Sequence, residues 1–363
     1  MILEQLILLC TKQLHKQRSV GAIYHLLNGK RSIQTLQDAH LFNLDRYYGI
    51  LPTISRDEFE QHIERLIDQN VINKVAKDHV DYLILTEVGK ENLAQLIHVI
   101  NYFNGLLFYK SDELFYKKLL LLTQVLTNDF KSNSSYIPII EDANVQLWVR
   151  QTYQKIKTRL TDHLQWLYDD LYSLLQHLTT KEAEIFVDRL TTFENYGLSI
   201  QQLSTKHEQS TNDIRLTLRA IVQKMLHLMT TTQVETRLLH HIVNELPRFN
   251  MLTKSAHVTY KYLIQHYSIE QIASIRRLKI NTIYDHLIEI CWYDQTFPVE
   301  SYINDEQILL IKRAIQTTGS LQLKKIKEAI ETDLSYFQIR LALTRIKNVF
   351  AEGEEIYASK HQF

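Results

Sequence analysis

The stretch that decides the fold runs from Thr259 to Ile290 and reads TYKYLIQHYSIEQIASIRRLKINTIYDHLIEI. Its apolar residues recur at intervals of three and four, which is the spacing of one face of a helix. A break at Ser268 and another before Asn281 divide the pattern into three parts. The sequence therefore predicts three short amphipathic helices in succession. Their inner positions are Tyr260, Leu263, Ile264 and Tyr267 in the first, Ile269, Ile272 and Ala273 in the second, and Ile283, Leu287 and Ile290 in the third.

The junctions between these helices carry capping and charge signals. Ser268 and Gln271 have the S-x-x-Q spacing of a capping box, in which each side chain accepts a hydrogen bond from the other residue's backbone N–H. The small Ala273 suits a close approach of two helices, and a basic cluster begins at Arg276. This arrangement is typical of a helix-turn-helix, whose last helix can enter the major groove of DNA. The alternative is a three-helix packing unit that contacts no DNA.

The basic cluster and the third helix supply the predicted DNA contacts. Residues Lys254 to Lys347 hold 13 basic and 10 acidic side chains, so the phosphate backbone is attracted most to this part of the chain. A second trihelical group with a basic edge follows Pro298, with capping pairs at Asn304 and Ser335. The predicted DNA contacts are Arg276, Arg277, Lys279, Asn281, Thr282 and Tyr284, with secondary phosphate contacts from Lys324, Lys325, Lys327 and Arg340.

Several segments resemble a known family. Tyr260 to Lys347 resembles the helix-turn-helix module at the C-terminus of many bacterial RecQ-type helicases, through SIEQIA at Ser268–Ala273, NTIYDHL at Asn281–Leu287 and SYFQIRLAL at Ser335–Leu343. The whole chain resembles the YpbB-like proteins of Gram-positive bacteria, which carry this module without a helicase domain. YHLLNGKRSIQTLQDAHLF at Tyr24–Phe42 is similar to their N-terminal part. Because their genes typically lie beside that of a RecQ-family helicase, the resemblance implies such a helicase as a partner.

Composition predicts a mainly α protein with ordinary globular packing. Apolar residues make up 45% of the 363 residues, which leaves ample core for two or three domains. The chain has only 8 glycines and 4 prolines, well below the usual fractions of about 7% and 5%. No G-x-x-x-x-G-K or G-x-G-x-x-G sequence is present, so an ATPase or a nucleotide-cofactor enzyme is not expected.

Charge and chemistry narrow the function further. The 41 basic and 41 acidic residues balance, so DNA contact is expected to be local or assisted by a partner. Cys10 and Cys291 are predicted to be buried free thiols of a cytoplasmic protein. No apolar run reaches the length of a membrane span. No metal-binding spacing, catalytic triad or paired-carboxylate site stands out, and Asp169-Asp170 reads as solvated helix surface. We therefore expect no cofactor, no metal and no enzymatic activity.

The N-terminal segment predicts a winged-helix-like domain. Asn28-Gly29 has the composition of a left-handed helix cap, and Ser55 with Glu58 has the spacing of a capping box. A helix from there to Gln69 is followed by two short runs, Val71–Lys74 and Asp81–Leu85. Two extended runs after a helix indicate a β-wing.

The helix before that wing is acidic. From Arg56 to Gln69 there are five acidic and two basic residues, and a net charge of −3 would repel phosphate. We therefore interpret this domain as a protein-docking module. The predicted partner-binding residues are Asp57, Glu58, Glu60 and Glu64.

The middle of the chain repeats the opening pattern. When Ser199–Leu218 is aligned with Ser268–Leu287, an offset of 69 without gaps pairs the capping residues and inner positions. Gln209 differs, because it stands where Leu278 should close the turn. The alignment predicts a second helix-turn-helix; a degenerate copy used only for packing and a chance similarity are the alternatives.

Together these patterns predict three segments and one leading function. The segments are 1–130, winged-helix-like with a helical extension; 136–247, a helical middle with the degenerate helix-turn-helix; and 251–350, the C-terminal module. The polar stretch Asn128–Ser135 is the predicted linker between the first two. The leading function is a DNA-binding adaptor that acts with a RecQ-family helicase on forked or junction DNA, in repair or recombination. The alternative is a sequence-specific transcription regulator, and a nuclease would need carboxylate clusters that are not evident.

Overall fold

Helices make up most of this protein. The computed structural model describes residues 1–14, 16–77, 80–95, 97–246 and 252–346. The predicted mainly α class is confirmed. In chain order the elements are α1 (Ile2–Leu14), α2 (Val20–Asn28), α3 (Ile33–Leu41), α4 (Arg56–Asp68), β1 (Ile72–Lys77), β2 (Val80–Leu85), α5 (Glu87–Ala94), α6 (Ser111–Phe130), α7 (Ala143–Ile156), α8 (Leu160–Leu175), α9 (Thr180–Val187), α10 (Ile200–His207), α11 (Thr211–Thr230), α12 (Leu239–Asn244), α13 (Lys254–Leu263), α14 (Ile269–Arg276), α15 (Ile280–Tyr293), α16 (Asp305–Thr318), α17 (Leu323–Glu328) and α18 (Tyr336–Leu343), with 3₁₀ turns at Asp45–Tyr47, His98–Tyr102 and Lys157–Arg159.

The chain divides into two compact units. The first unit takes in residues 1–31 and 43–249, and the C-terminal unit takes in residues 32–42 and 250–363. This grouping differs from the three predicted segments, because 1–130 and 136–247 fall into one unit. It also assigns α3, near the N-terminus, to the C-terminal unit.

The N-terminal part of the first unit combines helices with a two-stranded hairpin. Helices α1, α2 and α4 precede an antiparallel hairpin in which Ile72 of β1 lies opposite Leu85 of β2. This hairpin is the predicted wing. Gly29 ends α2 with a φ of 77°, as the Asn-Gly pair predicted, because a left-handed cap favours a residue without Cβ. At Ser55 the side chain accepts from Glu58 N at 3.1 Å, which caps α4.

The rest of the first unit packs around α6 and α11. Apolar residues of α6 to α12 form one continuous core, for example Phe115, Phe186 and Ile221, each of which is fully buried. The predicted linker Asn128–Ser135 does not separate this core from the N-terminal part. Helix α6 continues to Phe130, and the buried Gln124 side chain donates to Ile137 O and accepts from Ile139 N, both at 3.0 Å.

The C-terminal unit consists of α13 to α18 together with α3. The first three helices and the last three each form a trihelical group. Helix α3 packs against α15. Ala39 on α3 is fully buried, and the His40 ring stacks on Trp292 of α15 with centroids 4.8 Å apart. The C-terminal unit is therefore completed by a helix from the other end of the chain.

Three further features bear on function. Within the ranges that the structure describes, no helix is long and apolar enough to cross a membrane. The same residues hold no group of three or more histidine, cysteine, aspartate or glutamate side chains suited to a metal ion. Cys10 and Cys291 are buried free thiols, and burial raises the pKa of each to about 12, so neither is a reactive thiolate at neutral pH.

Candidate nucleic-acid interface

The turn between α14 and α15 has the geometry that the sequence predicted. Ser268 N donates to Gln271 Oε1 at 2.8 Å and Gln271 N donates to Ser268 Oγ at 3.2 Å, which completes the capping box. Arg277 ends α14 in the left-handed region with a φ of 52°. Leu278 N then donates to Ala273 O at 3.0 Å, and this bond closes the turn.

Arg276 faces the interior of the trihelical group. Its guanidinium donates to Ser255 O and to Ser255 Oγ, both at 2.9 Å, and also to the Thr259 hydroxyl, all on α13. The side chain is only partly exposed. We expected this arginine to contact DNA, but its donors already bind protein oxygens. Arg276 therefore holds α13 against α14.

The neighbouring polar residues do face solvent. Arg277, Lys279 and Asn281 are exposed, and Thr282 is partly exposed. Exposed Ile275 and Ile280 flank them, at 49% and 41% of their maximal exposure. The sequence interpretation missed these two isoleucines, although both lie off the inner-face positions of their helices. The exposed surface of the turn is thus a short basic and polar strip with apolar edges.

Helix α18 covers the next turn of α15. Tyr284 stacks on Phe337 with ring centroids 4.0 Å apart, and Arg340 Nη1 donates to Asp285 Oδ1 at 2.7 Å. Arg340 Nε also donates to Gln37 Oε1 of α3 at 3.3 Å. Residues 286–291 of α15 are all buried. Tyr284 and Arg340, both predicted DNA contacts, are therefore packing residues of the C-terminal unit in this structure.

The predicted secondary lysines lie on α17. Lys324 and Lys325 are exposed, whereas Lys327 is partly buried beside Tyr336, with its Nζ 5.3 Å from the ring centroid. Lys327 Nζ also lies 3.5 Å from Asp333 Oδ1, and Lys324 Nζ lies 3.9 Å from Glu328 Oε1. Lys325 and Lys324 are consequently the more available phosphate contacts.

Comparison with known proteins identifies this part of the chain. Residues 255–343 match the sequence model of a family described as a helix-turn-helix domain. These residues form a helix-turn-helix domain. Protein YpbB of Bacillus subtilis (strain 168) is 29% identical over 349 residues, which cover 94% of this chain and 96% of the relative. The predicted resemblance to YpbB-like proteins is confirmed, and the similarity extends well beyond the helix-turn-helix domain. No solved structure matches the chain.

The middle repeat, Ser199–Leu218, has the same backbone geometry at its turn as the turn between α14 and α15. Glu208, which aligns with Arg277, also ends its helix in the left-handed region with a φ of 52°. Ser199 and Gln202 complete a capping box, and Gln209 N donates to Ser204 O at 3.1 Å, as Leu278 N does to Ala273 O. The offset of 69 therefore relates two similar turns.

The helix that follows this second turn is not available to DNA. Most residues of α11 are buried, including Asn212 and Asp213 in its first turn. Asn212 Nδ2 donates to Glu58 Oε1 at 2.8 Å, and Asp213 Oδ1 accepts from Leu3 N at 3.2 Å. A helix enclosed in this way cannot enter a groove, so the middle repeat acts as packing in the first unit.

The acidic residues of α4 differ in availability. Asp57 and Glu64 are exposed, and Glu60 is exposed with its Oε1 2.6 Å from Arg56 Nε. Glu58 is partly buried, because its carboxylate accepts the bond from Asn212. Of the four predicted partner-binding residues, Glu58 thus serves the interior of the first unit and the other three face solvent.

The left-handed backbone conformation of Arg277 allows a test that separates its effect on stability from its effect on DNA binding. Changing Arg277 to glycine should raise the free energy of unfolding of the C-terminal unit by up to about 1 kcal/mol, because glycine adopts this conformation without the Cβ penalty. The same change should weaken DNA binding, since a solvent-facing cation is lost. Hydrogen exchange of α14 and α15 and a DNA titration measure the two effects.

Glu208→Gly is the matched control for that variant. It relieves the same backbone strain at the aligned position, so it should stabilise the first unit by a similar amount while leaving DNA affinity unchanged. Weaker hydrogen-exchange protection of α14 in Arg277→Gly would contradict the strain argument. Unchanged DNA affinity would remove Arg277 from the proposed interface.

His286 makes the stability of the C-terminal unit depend on pH. It is buried, its Nδ1 lies 2.8 Å from Thr259 Oγ1, and burial, with Arg276 nearby, lowers its pKa from 6.5 to about 4. The unfolded chain therefore binds a proton that the folded chain does not. Stability from the neutral imidazole is full above pH 6.5 and is lost as the pH falls towards 4, by at most about 1.4 kcal/mol per pH unit.

Urea unfolding of the full chain, followed by hydrogen exchange of α15, measures this effect. His286→Gln should flatten the pH dependence between pH 6.5 and 4 in the C-terminal unit. If His286→Gln keeps the wild-type dependence of the free energy of unfolding on pH, groups other than His286 cause that dependence. The exposed His266 provides a control, since His266→Gln should leave the slope unchanged.

Proposed function

We propose that the protein binds DNA through the exposed surface of its helix-turn-helix domain. The contacts are Arg277, Lys279, Asn281 and Thr282 at the turn, with Lys324 and Lys325 as additional phosphate contacts. The single observation that carries this proposal is the exposure of this basic turn beside the start of α15. Helix-turn-helix proteins read DNA with the N-terminal residues of the last helix, which is where these side chains lie.

Helix α18 covers part of α15, which favours recognition of a DNA structure over recognition of one base sequence. The residues of α15 that are exposed, Ile280 and Asn281, lie in its first turn, because Tyr284 and Asp285 contact α18 and residues 286–291 are buried. Few side chains can then reach base edges, whereas contacts to phosphates position a protein without reading sequence. We therefore favour forked or junction DNA as the ligand over a single operator.

We further propose that the protein is a non-enzymatic accessory factor of a RecQ-family helicase in DNA repair or recombination. Support comes from the resemblance of the C-terminal segment to a module of RecQ-type helicases and from the similarity to Protein YpbB. The exposed carboxylates Asp57, Glu60 and Glu64 are the proposed docking residues on the first unit. Their charge suits a basic surface on the partner.

Fluorescence anisotropy with duplex, single-stranded and forked DNA at several salt concentrations tests the DNA proposal. The double variant Arg277→Ala/Lys279→Ala should lower the log–log salt slope for forked DNA by about two, since each lost phosphate contact lowers it by about 0.9. Lys261→Ala/Lys312→Ala, which removes two other exposed cations of the same unit, should change it little. Equal slopes in both variants would contradict the proposed surface.

The helicase proposal needs its own titration. A neighbouring RecQ-family helicase should tighten binding to forked DNA, and Asp57→Asn/Glu60→Gln/Glu64→Gln should abolish that increase while leaving DNA binding alone. Tight binding to one duplex sequence without the helicase would favour the transcription-regulator alternative. A helicase effect that persists in the triple variant would remove α4 as the docking site.

A further inference from the structure

A basic corner lies in the first unit where α7 meets α8. Arg150 in the middle of α7, Lys155 in its last turn and Lys157 in the 3₁₀ turn that follows are all exposed. From Ala143 to Tyr168 the chain has four basic residues and one acidic residue. In a protein whose charges otherwise balance, this is a local excess of positive charge.

The positive charge of the basic corner is not neutralised by the surrounding protein. Asp162 is the acidic residue of this segment, and its Oδ2 already lies 2.8 Å from Arg159 Nε. Among the residues that the structure describes, no carboxylate lies within ion-pair distance of Arg150, Lys155 or Lys157. A concentrated, uncompensated positive patch attracts polyanions.

Aromatic rings continue from the basic corner along α8. Trp166 is partly exposed, with the Arg159 guanidinium 5.6 Å from its ring centroid and the His163 ring 4.7 Å away. One turn further, Tyr168 and Tyr172 stack with centroids 6.0 Å apart and planes 14° apart. Their exposed fractions are 62% and 55%, which is high for aromatic side chains on a helix.

These two features suit single-stranded nucleic acid. Proteins that bind single strands combine a basic track for the phosphates with rings on which unpaired bases stack. A duplex offers no unpaired base faces to Tyr168 and Tyr172. An acidic protein segment could use the lysines, but it would gain nothing specific from parallel exposed rings. Two carboxylates lie between the tyrosines: the exposed Asp169, which accepts from Gln165 Nε2 at 2.9 Å, and the buried Asp170.

We propose that the basic corner and the tyrosines of α8 form a second nucleic-acid site, which binds single strands. Arg150, Lys155 and Lys157 contact phosphates, and Tyr168 and Tyr172 stack with bases. This site lies in the first unit and does not depend on duplex binding by the helix-turn-helix domain. On a forked substrate the two sites would contact different parts of the same DNA.

Titration of the full chain with a fluorescent oligothymidylate of about 15 nucleotides, within the usual range of site sizes, tests the proposal. Arg150→Ala/Lys155→Ala/Lys157→Ala should lower the log–log salt slope by about two, at about 0.7 per phosphate contact on a single strand. The control Lys16→Ala/Lys77→Ala/Lys181→Ala removes the same amount of charge from exposed positions elsewhere in the first unit. It should change the log–log salt slope little.

The tyrosines are tested separately. Tyr168→Ala/Tyr172→Ala should weaken binding at least about fivefold, the lower end expected for loss of one stacked base. Tyr168→Phe/Tyr172→Phe, which keeps the rings, should retain wild-type affinity. Both residues are exposed, so neither change threatens folding.

Two outcomes would overturn the proposal. The first is that the chain does not bind the oligothymidylate even at low salt. The second is that the corner variant and its charge-matched control lose affinity equally. The Arg277→Ala/Lys279→Ala variant separates this site from the proposed function, because it should weaken fork binding while leaving oligothymidylate binding intact. If that variant binds forked DNA as tightly as the wild type, the result would count against the helix-turn-helix surface and not against the single-strand site.

Discussion

Ala39→Glu is expected to unfold the C-terminal unit, although Ala39 lies near the N-terminus of the chain. Ala39 is fully buried on α3, which packs against α15. A glutamate there would place an unpaired carboxylate, or a strained larger side chain, in an apolar contact. We expect a loss of about 4 kcal/mol or more from the C-terminal unit.

Hydrogen exchange across the full chain measures this effect region by region. In Ala39→Glu, α15 and α18 should lose protection while α6 and α11 keep theirs, and binding to forked DNA should fall with the folded population. Gln34→Ala changes the exposed side of the same helix, removes only the hydrogen bond from Gln34 Nε2 to Asp38 Oδ1 and should cost much less. Unchanged protection of α15 in Ala39→Glu would mean that α3 does not support the C-terminal unit.

Asp170→Ala should produce a second large loss, this time in the first unit. The buried Asp170 on α8 accepts hydrogen bonds from the backbone N–H groups of Arg237, Leu238 and Leu239, at 2.8, 2.8 and 2.9 Å. These groups begin α12, whose own N-cap residue, Leu238, has no side chain that can accept. Removing the carboxylate leaves buried donors without acceptors, which should cost about 3 kcal/mol or more.

The adjacent residue provides the control for this prediction. Asp169 is exposed and accepts only from Gln165, so Asp169→Ala should change the free energy of unfolding by about 0.5 kcal/mol or less. Urea unfolding with hydrogen exchange of α12 distinguishes the two variants. If both variants lose the same stability, Asp170 does not cap α12 in solution.

This pair of aspartates shows where sequence reasoning reached its limit. We expected both to be solvated, but Asp170 is a buried cap for a helix far along the chain. Helical periodicity gives the direction of a side chain relative to its own helix. It does not say which distant backbone will lie opposite, so a long-range cap leaves no local signal.

Local features were predicted well because neighbouring residues determine them. The capping boxes at Ser199, Ser268 and Ser335 are present in both directions of hydrogen bonding, and Gly29 takes the left-handed cap. The hairpin of β1 and β2 also follows the two short extended runs predicted after α4.

The candidate site was predicted less completely, and Arg276 shows why. Arg276 and Arg277 are adjacent and chemically identical, yet the first bonds to α13 and the second faces solvent. Tyr284 and Arg340 likewise look like contact residues until α18 is placed against α15. Which cations remain available depends on tertiary packing, and a single sequence does not contain that information in a local form.

The position of α3 has a consequence for how the protein is made. During synthesis α3 is translated more than 200 residues before α15 and α18, both of which it contacts. The buried side chains of Leu36 and Ala39 therefore lack α15, against which α3 packs, until that helix has been translated. Domains usually fold in the order in which they leave the ribosome. Here the C-terminal unit can be completed only when α3, translated much earlier, packs against it, so a nascent chain interrupted before α15 would leave the apolar side of α3 exposed and prone to aggregation.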